Sequence, residues 1–518
     1  MKKFPIGIST LSEILNGGYY YVDKTPLVRQ MTEEGKYFFI CRPRRFGKSL
    51  FIDTLKEAFE GNRALFKGLY LENNWDWSEK YPVVHISFGG GVIKNRVELE
   101  NKISEIFIEH QNTYSIKLQS TGSAGKFREL ILQLADKFKR NVVILVDEYD
   151  KPILDNITDL EIAKEVREGL KNLYSIIKDC DAHVKFCLLT GVTKFSKVSL
   201  FSGLNNLKDL TLDVRYATIC GYTQTDVKHV FAECLEGVDL EELKRWYNGY
   251  NFMGEPVYNP FDVLLYLDSR EYKNYWFETA TPGFLMELML TKRFYLPALK
   301  HLETGESLIG SFDVDKLYLE TIMFQTGYLT IDSVRRMGGL LRYKLKYPNF
   351  EVETSFSDYM LNYLVEDAAR KGHIQSNLYD AVTQNQPEDF KSIFHSFFAS
   401  IPNDWYRKNS IAKYEGYYAS IFYSYFVSLG FEVIPEDTTN HGRIDMTVKH
   451  ENRVYIFEFK VIELIKEKNS ALQQIQQKAY HEKYLAEAES LHLIGVEFSS
   501  EEKNIVSFEI QRVKSLKK

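Results

Sequence analysis

The sequence predicts an α/β protein in which an N-terminal parallel sheet and a C-terminal α/β domain are joined by a helical middle. Three observations support this fold class. A short apolar run, Tyr37 to Cys41, leads through a loop into an amphipathic helix, as in one unit of a parallel sheet. Five consecutive aliphatic residues, Val142 to Val146, have the composition of a second buried strand. Near the C-terminus, residues 446–448 and 454–460 read as two strands of a hairpin.

The loop after the first apolar run reads RPRRFGKS, and its Gly47-Lys48-Ser49 triplet opens the helix. Backbone N–H groups and the helix dipole attract anions at such a point, so this context predicts a phosphate-binding loop. Lys48 is expected to reach the β- and γ-phosphates of a nucleotide, and the Ser49 hydroxyl to bind Mg²⁺. Arg42 stands where the full motif has glycine, and the alternative is a chance GKS in a basic turn. The residues expected to contact the nucleotide here are Arg44, Arg45, Phe46, Gly47, Lys48, Ser49 and Leu50.

An acidic pair, Asp147 and Glu148, directly follows the aliphatic run. Ligands of open α/β sheets bind at the carboxyl ends of the strands, where this pair is expected to lie. Asp147 suits Mg²⁺, either directly or from a second shell, and Glu148 suits activation of the attacking water. The alternative, a solvated acidic turn, is less favoured when a phosphate loop precedes it on the same chain.

Three more segments are predicted to be strands, and helical patterns separate them: Val83 to Phe88, Val184 to Leu189, and Asp209 to Asp213. The second of these ends near two threonines, Thr190 and Thr193, and either could sense the γ-phosphate. We assign Thr193 to the nucleotide site, although a threonine at a strand end often satisfies only the loop backbone.

Length and composition describe a multidomain, globular chain. Its 518 residues exceed one hydrophobic core, and 44% of them are hydrophobic. The net charge of −6 predicts no global attraction to nucleic acid or to an anionic membrane. Five cysteines without CxxC spacing fit a reduced compartment. No apolar run is long enough to span a bilayer, so we expect a cytoplasmic protein with no membrane partner.

The middle of the chain is predicted to be helical from Asp226, with a winged-helix-like module further on. A helix over 314–324 is followed by strands at 327–331 and 341–346, which flank a turn at Gly338-Gly339. The cations of this wing either touch phosphate backbones or are merely solvated while the wing packs on the N-terminal domain. They are Arg335, Arg336, Arg342, Lys344 and Lys346.

A second set of chemical residues lies near the C-terminus. Glu458 and Lys460 point to one face of an extended strand, because side chains alternate with period two. Asp445, on the preceding strand, can then meet Glu458. Two carboxylates around one divalent ion, with an ammonium beside them, are what metal-assisted phosphodiester hydrolysis requires.

Two helices supply additions to this set. Glu415 lies in a helical stretch before the hairpin and is a candidate third metal ligand. Gln474 and Lys478 share one face of a helix predicted over 471–480. The alternative for the whole set is an ordinary hairpin with a cross-strand salt bridge.

These motifs together resemble the bacterial AAA-ATPase-like proteins that carry a C-terminal PD-(D/E)XK nuclease domain. The resemblance rests on RPRRFGKS, YVDKT, VDEYD, TGVTKFS, YNGYNF and the final GRIDM…FEFK. It implies an ASCE-type P-loop domain at 1–225 with one further strand between those of the phosphate loop and the acidic pair. It also implies a helical and winged-helix-like region at 226–400 and a nuclease-like domain at 401–518. Ile444 stands where the motif name has proline, which leaves the Asp445 carboxylate in place.

The resemblance implies ATP and Mg²⁺ as cofactors, with Mn²⁺ an alternative at the nuclease site, and DNA or RNA as substrate. Two functions stay open. One is an ATPase whose nucleotide cycle controls a nuclease; the other is a nucleotide-dependent switch or scaffold that binds a protein or nucleic-acid partner through its helical middle, with an inert nuclease fold. Residues 401–518 contain 16 Lys and Arg against 17 Asp and Glu, a net charge of −1. The surface that binds nucleic acid therefore lies elsewhere on the chain, is formed by a homo-oligomer, or is absent.

Overall fold

A computed structural model describes most of the chain, and tertiary contacts divide it into two compact units. The first contains Met1–Phe284 and Glu303–Asn349, and the second contains Leu285–Leu302 and Phe350–Lys518. The predicted domain boundaries at 225 and 400 were drawn from motifs and not from contacts, and they stay a prediction. The described residues are 2–195, 200, 204, 206–280, 283–291, 294–309, 316, 318–364, 368–399, 415–462, 470–499, 501–502 and 504–513.

A five-stranded parallel sheet forms the centre of the first unit. Its strands are β1 (Tyr37–Cys41), β2 (Val83–Ser87), β3 (Val142–Asp147), β4 (Val184–Gly191) and β5 (Lys208–Asp209). Their spatial order is β2-β3-β4-β1-β5, and every neighbouring pair is parallel. Strand β4 therefore separates β1 from β3, as the resemblance implies, and the predicted fold class is confirmed.

The sequence located four of these strands to within two residues, but it was wrong about β5. That strand has only two residues instead of the predicted Asp209 to Asp213. The Thr211 N–H donates to Asp209 Oδ1 at 2.9 Å, so the Asp209 side chain turns the backbone away from the sheet.

Fourteen helices begin within the first unit in the described part of the chain, and α12 continues from Leu285 onward in the second. They are α1 (Leu11–Asn16), α2 (Thr25–Glu34), α3 (Lys48–Phe59), α4 (Arg96–Tyr114), α5 (Ser123–Phe138), α6 (Lys151–Leu154), α7 (Leu160–Asp179), α8 (Gln224–Val230), α9 (Leu240–Tyr247), α10 (Pro260–Ser269), α11 (Tyr275–Ala280), α12 (Gly283–Thr291), α13 (Glu306–Ile309) and α14 (Leu319–Thr326). None of the helices that the structure describes, in either unit, is both long and apolar enough to cross a membrane.

A small antiparallel sheet follows in the same unit, in the order β6-β8-β7. Its strands are β6 (Glu303–Gly305), β7 (Thr330–Met337) and β8 (Leu340–Lys346). The predicted hairpin around Gly338-Gly339 is present. Its first strand starts later than predicted, because Gly327, with φ +96°, ends α14 in a left-handed conformation. The helix predicted over 314–324 begins at Leu319, and residues 310–315 and 317 lie outside the described residues.

The second unit is built on a mixed sheet of order β13-β12-β11-β10-β9. Only the β11–β12 pair is parallel, and α19 connects those two strands. The predicted hairpin at 446–460 is confirmed, with longer strands. The elements are β9 (Glu432–Thr439), β10 (Gly442–His450), β11 (Arg453–Ile462), β12 (Ser490–Ser499) and β13 (Asn504–Val513), with helices α15 (Phe350–Leu364), α16 (Ala368–Thr383), α17 (Glu388–Ala399), α18 (Glu415–Ser428) and α19 (Ser470–Gln477).

Gly249 occupies a position in the first unit that only glycine fits. Its φ is +112°, and a Cβ there would lie 1.9 Å from the carbonyl oxygen of Pro348. Gly249→Ala should lower the Tm by about 5 °C or more, because strain and the clash with backbone together cost about 2 kcal/mol or more. Gly339→Ala is the matched control, since no atom lies within 4 Å of its added Cβ. Equal melting temperatures for the two variants in calorimetry would contradict this reading of Gly249.

Candidate nucleotide and metal sites

A cavity of about 480 Å³ lies beside the loop that follows β1, a size that suits a small-molecule ligand. All seven loop residues predicted to contact nucleotide, Arg44 to Leu50, line it. Glu148, from the end of β3, lines the same cavity. The parallel sheet thus brings the basic loop and the predicted general base to one chamber.

The loop has the geometry of an anion cradle. Gly47 adopts φ +91° immediately before α3, so the chain turns sharply and the first N–H groups of a 12-residue helix lack helical partners. Lys48 Nζ donates to the carbonyl oxygens of Arg42 at 2.9 Å and Pro43 at 2.8 Å. The ammonium therefore spans the concave side of its own loop, where a phosphate would bind.

Arg42, which replaces the expected glycine, faces the core and does not line the cavity. Its guanidinium donates to the carbonyl oxygens of Cys41 and Thr211 at 2.8 Å and of Tyr216 at 3.0 Å. It also lies 4.0 Å from the centre of the Phe252 ring. Burial lowers the pKa of Arg42 to about 10. This departure from the usual motif anchors the loop to the neighbouring chain segments.

Aromatic residues from 250–276 hold the other end of the loop. Phe46 makes edge contacts with Tyr250 at 4.7 Å and Phe252 at 6.1 Å between ring centres. The Trp276 indole N–H donates to the carbonyl oxygen of Arg44 at 3.1 Å. We call Tyr250, Phe252 and Trp276 the aromatic clamp. The sequence singled out the YNGYNF segment only by resemblance, and this contact gives it a physical role.

The two acidic residues after β3 differ in position: Glu148 lines the cavity, whereas Asp147 is buried and does not line it. Asp147 is buried, and its Oδ1 accepts the Thr190 hydroxyl at 2.7 Å and the Glu148 N–H at 3.0 Å. Glu148 has φ +52°, a strained conformation for a side chain other than glycine. Burial first, and the charge of Asp147 second, raise the pKa of Glu148. A carboxylate with a raised pKa is suited to accept a proton near neutral pH.

Thr193 does not reach the cavity. Its hydroxyl and its N–H both donate to Asp150 Oδ2 at 2.6 Å, and Asp150 also accepts the Val192 N–H at 3.0 Å. This buried carboxylate ties the loop after β4 to the loop after β3. We therefore treat Thr193 as part of the scaffold. Thr190 positions Asp147 and does not line the cavity either.

Sequence reasoning missed several cavity residues. Lys151 lines the cavity and its ammonium lies 2.7 Å from Asp155 Oδ2. Lys24 was not missed, because the sequence leaves the Asp23-Lys24-Thr25 triplet open between a place near the nucleotide base and a plain capping role. Lys24 lines another side of the cavity and pairs with Asp226 at 2.7 Å. Lys151 comes from a segment far from the loop in sequence, and only the fold brings it there. Apolar side chains supply a wall suited to a nucleobase; they include Ile8, Tyr20, Val22, Tyr222 and Leu264.

In the second unit, Asp445 and Glu458 meet across the β10–β11 hairpin. Asp445 Oδ2 accepts the Phe459 N–H at 2.8 Å, which holds it beside Glu458. Glu458 is 3% exposed, its Oε1 accepts the Gln474 amide N–H, and its Oε2 is buried with no hydrogen-bond partner. Predicted Asp445, Glu458 and Gln474 are thus assembled in one place.

Lys460 and the start of α19 form the rim of this site. Lys460 Nζ donates to the carbonyl oxygen of Ser470 at 3.2 Å. On β12, opposite Lys460, buried Glu497 accepts the Ser470 hydroxyl at 3.0 Å and the Ala471 N–H at 3.1 Å. Glu497 therefore fixes the helix that carries Gln474. Sequence reasoning missed it because a lone glutamate in an apolar strand shows no motif.

Glu415 is the first residue of α18, and it was predicted to be a third metal ligand. Partial burial and then the charge of Asp445 raise the pKa of Glu415 to about 7. Glu415 therefore interacts electrostatically with Asp445. Within the described ranges, however, no three His, Cys, Asp or Glu side chains are gathered closely enough to hold one ion. The structure brings together Asp445 and Glu458, and the role of Glu415 as a third ligand stays a prediction.

The two central carboxylates fit a divalent cation. Burial first, and then the neighbouring charge, raise the pKa of Glu458, and burial raises that of Asp445. A buried carboxylate oxygen without a donor, next to a second carboxylate, is satisfied by a cation with oxygen-ligand preference. Asp445 and Glu458 are the groups that would hold it, and Lys460 would face the developing charge of a substrate.

Comparison with known proteins assigns both regions. A family model described as a predicted AAA-ATPase, of the AAA-ATPase-like type, matches residues 5–201. A model of the PD-(D/E)XK nuclease superfamily matches residues 413–508. A relative from Azotobacter chroococcum mcd 1, described as an uncharacterized protein in the vnfD 5′ region, is 52% identical over 511 residues. Those residues are 98% of this chain and 99% of the relative.

The raised pKa values predict that the metal-free site destabilises the folded chain in a pH-dependent way. Because the pKa of Glu458 is higher in the folded chain than in the unfolded chain, stability is full below about pH 4.5 and falls as pH rises through the folded pKa. Glu458→Gln removes this charge, so in EDTA it should raise the Tm at pH 8 and change it little at pH 4.5. Glu501→Gln, at an exposed position, is the control. A Tm difference that is the same at both pH values would exclude an electrostatic origin.

Proposed function

We propose, because this chain belongs to the AAA-ATPase-like proteins that carry a C-terminal PD-(D/E)XK nuclease domain, that it binds and hydrolyses ATP and that its nucleotide state controls a metal-dependent nuclease. The observation that carries the nucleotide half is the shared cavity of Lys48, Ser49 and Glu148. Its N–H-rich helix start and its lysine suit a triphosphate, and its apolar wall suits a base.

In this proposal each residue has one role in hydrolysis. Lys48 leaves the carbonyl oxygens of its loop and binds the terminal phosphates, and Ser49 and Asp147 hold Mg²⁺. Glu148 accepts the proton of the attacking water, which its raised pKa favours. Bound Mg²⁺ would neutralise the charge of the phosphates. Arg44 and Arg45 lie at the rim of the same cavity and add to its positive potential.

For the nuclease half, the support is the buried Glu458, which has an unpaired oxygen and lies beside Asp445. A bound Mg²⁺ or Mn²⁺ would polarise the phosphodiester and lower the pKa of a water. Asp445 and Glu458 would hold the ion, Gln474 would orient Glu458, and Lys460 would stabilise the charged transition state. The substrate class is a phosphodiester chain of DNA or RNA.

One observation favours a second function, a nucleotide-dependent switch with an inert nuclease fold. The acidic balance of residues 401–518, net −1, is unusual for a domain that grips nucleic acid by itself. In that case the first unit would bind nucleotide, and the second would serve as a scaffold for a partner.

Nucleotide binding and hydrolysis separate in two variants. ATP with Mg²⁺ should raise the Tm of the wild-type chain, and Lys48→Ala should remove that shift because the phosphates lose their ammonium. Glu148→Gln should keep the shift while hydrolysis falls about 100-fold or more, since an amide cannot accept the proton. Lys139→Ala, an exposed lysine, is the control. No nucleotide-dependent shift in the wild type would reject the cavity as an ATP site.

Cleavage assays test both the second site and its regulation by nucleotide. The wild type should degrade a mixed pool of DNA and RNA with Mg²⁺ or Mn²⁺ at rates that differ between ATP, ADP and no nucleotide, because a ligand shifts an equilibrium only through differential affinity. Asp445→Asn should abolish cleavage and Mn²⁺ binding in calorimetry while ATP hydrolysis continues. Lys48→Ala should cleave at one rate in all three conditions. Cleavage in none of the conditions would support the switch, and equal wild-type rates would mean two independent activities.

A further inference from the structure

The β7–β8 hairpin concentrates positive charge in a protein that is acidic as a whole. Residues 330–346 contain five Lys and Arg and one acid, a net charge of +4, whereas the whole chain carries −6. Lys344 and Lys346 both approach the single acid, Asp332, at 3.5 and 2.9 Å. In the described part of the chain, neither Arg336 nor Arg342 has a carboxylate partner.

The strand register places two arginines and two apolar residues on one outward face. Met337 lies opposite Leu340, and Arg335 lies opposite Arg342. Residues two apart on a strand share a face, so all four belong to the same one. Met337 is 49% exposed and Leu340 is 64% exposed. The hairpin therefore has an exposed apolar tip followed by an arginine pair.

This arginine pair is costly for the isolated hairpin. Like charges directly opposite each other on antiparallel strands destabilise the pair. Glu303, the nearest acid, lies 3.7 Å from Arg335 and is half exposed, so it compensates little. An anion bound between the two guanidiniums would relieve the repulsion, and guanidiniums bind phosphate in a two-pronged manner.

We propose that the outward face of this hairpin binds duplex DNA, with Arg335 and Arg342 on backbone phosphates and Met337 and Leu340 in the groove. A two-stranded ribbon fits the major groove of B-DNA, where apolar side chains contact thymine methyl groups. The major groove of duplex RNA is too deep and narrow to admit it. The inference rests on the proposed nuclease function, for which it supplies the grip that residues 401–518 lack.

The test measures binding without cleavage. A labelled 20-base-pair DNA duplex is titrated with the chain in EDTA, and anisotropy is read at several salt concentrations. Arg335→Ala/Arg342→Ala should weaken binding at least tenfold and reduce the slope of log K against log salt by about 2, one for each lost phosphate contact. Met337→Ser/Leu340→Ser should weaken binding and leave that slope unchanged. Lys139→Ala/Arg140→Ala removes the same charge from another exposed site of the first unit and should bind as the wild type does.

Each other outcome has a defined meaning. The arginine variant should melt at or above the wild-type Tm, because a repulsive pair is removed, so weaker binding with a lower Tm would indicate misfolding and overturn the proposal. Equal loss in the Lys139/Arg140 control, wild-type affinity in the arginine variant, or equal binding of duplex RNA or of vesicles with anionic lipid would also overturn it. Cleavage assayed separately with Mg²⁺ distinguishes the two proposals. DNA binding without cleavage supports the hairpin and rejects the nuclease, whereas cleavage with an unchanged KM in the arginine variant rejects the hairpin.

Discussion

The guanidinium of Arg42 is buried, and this one charge fixes much of the first unit. A cation taken out of water must keep its acceptors, because removing a partner from a buried charge costs several kcal/mol. Its acceptors are backbone carbonyls at the end of β1, just after β5 and at Tyr216. Those segments are therefore held together whether or not a ligand is bound. The phosphate loop starts from this fixed point, and Lys48 returns to it by bonding the Arg42 carbonyl.

The second unit follows the opposite rule. Both terminal nitrogens of the Arg42 guanidinium have acceptors, although its Nε has none. Glu458, in contrast, is a buried acid with one oxygen lacking any donor and with Asp445 beside it. Such an arrangement is unfavourable in the free chain and becomes favourable with a cation. Proteins retain destabilised sites of this kind where function requires them. Glu497, by contrast, is satisfied by the first turn of α19, so the scaffold around the unfavourable pair is itself well bonded.

Patterns local in sequence were enough to predict much of this structure. The loop after β1, the strands around it and the hairpin that carries Asp445, Glu458 and Lys460 were located from the sequence. This was possible because burial and side-chain alternation produce recognisable patterns in residue order. Contacts between distant segments left no such trace. Arg42 looked like a defect in a motif, and its use as an anchor became visible only when Thr211 and Tyr216 were placed beside it. Thr193 was assigned to the nucleotide because it follows a strand, but the buried Asp150 takes its hydroxyl. Glu415 was grouped with the metal ligands by its order in the chain, and its place among them stays a prediction.

The aromatic clamp also sets an order of events during synthesis. Trp276 donates to Arg44, a residue 232 positions earlier, and domains generally fold from the N-terminus while the chain is being made. When the first 225 residues have left the ribosome, the loop that would hold phosphate still lacks the rings that pack on Phe46. It is completed only after the middle of the chain emerges. The strands bearing Asp445 and Glu458 emerge later still, so a newborn chain can complete the cavity of the first unit before it carries either carboxylate of the second.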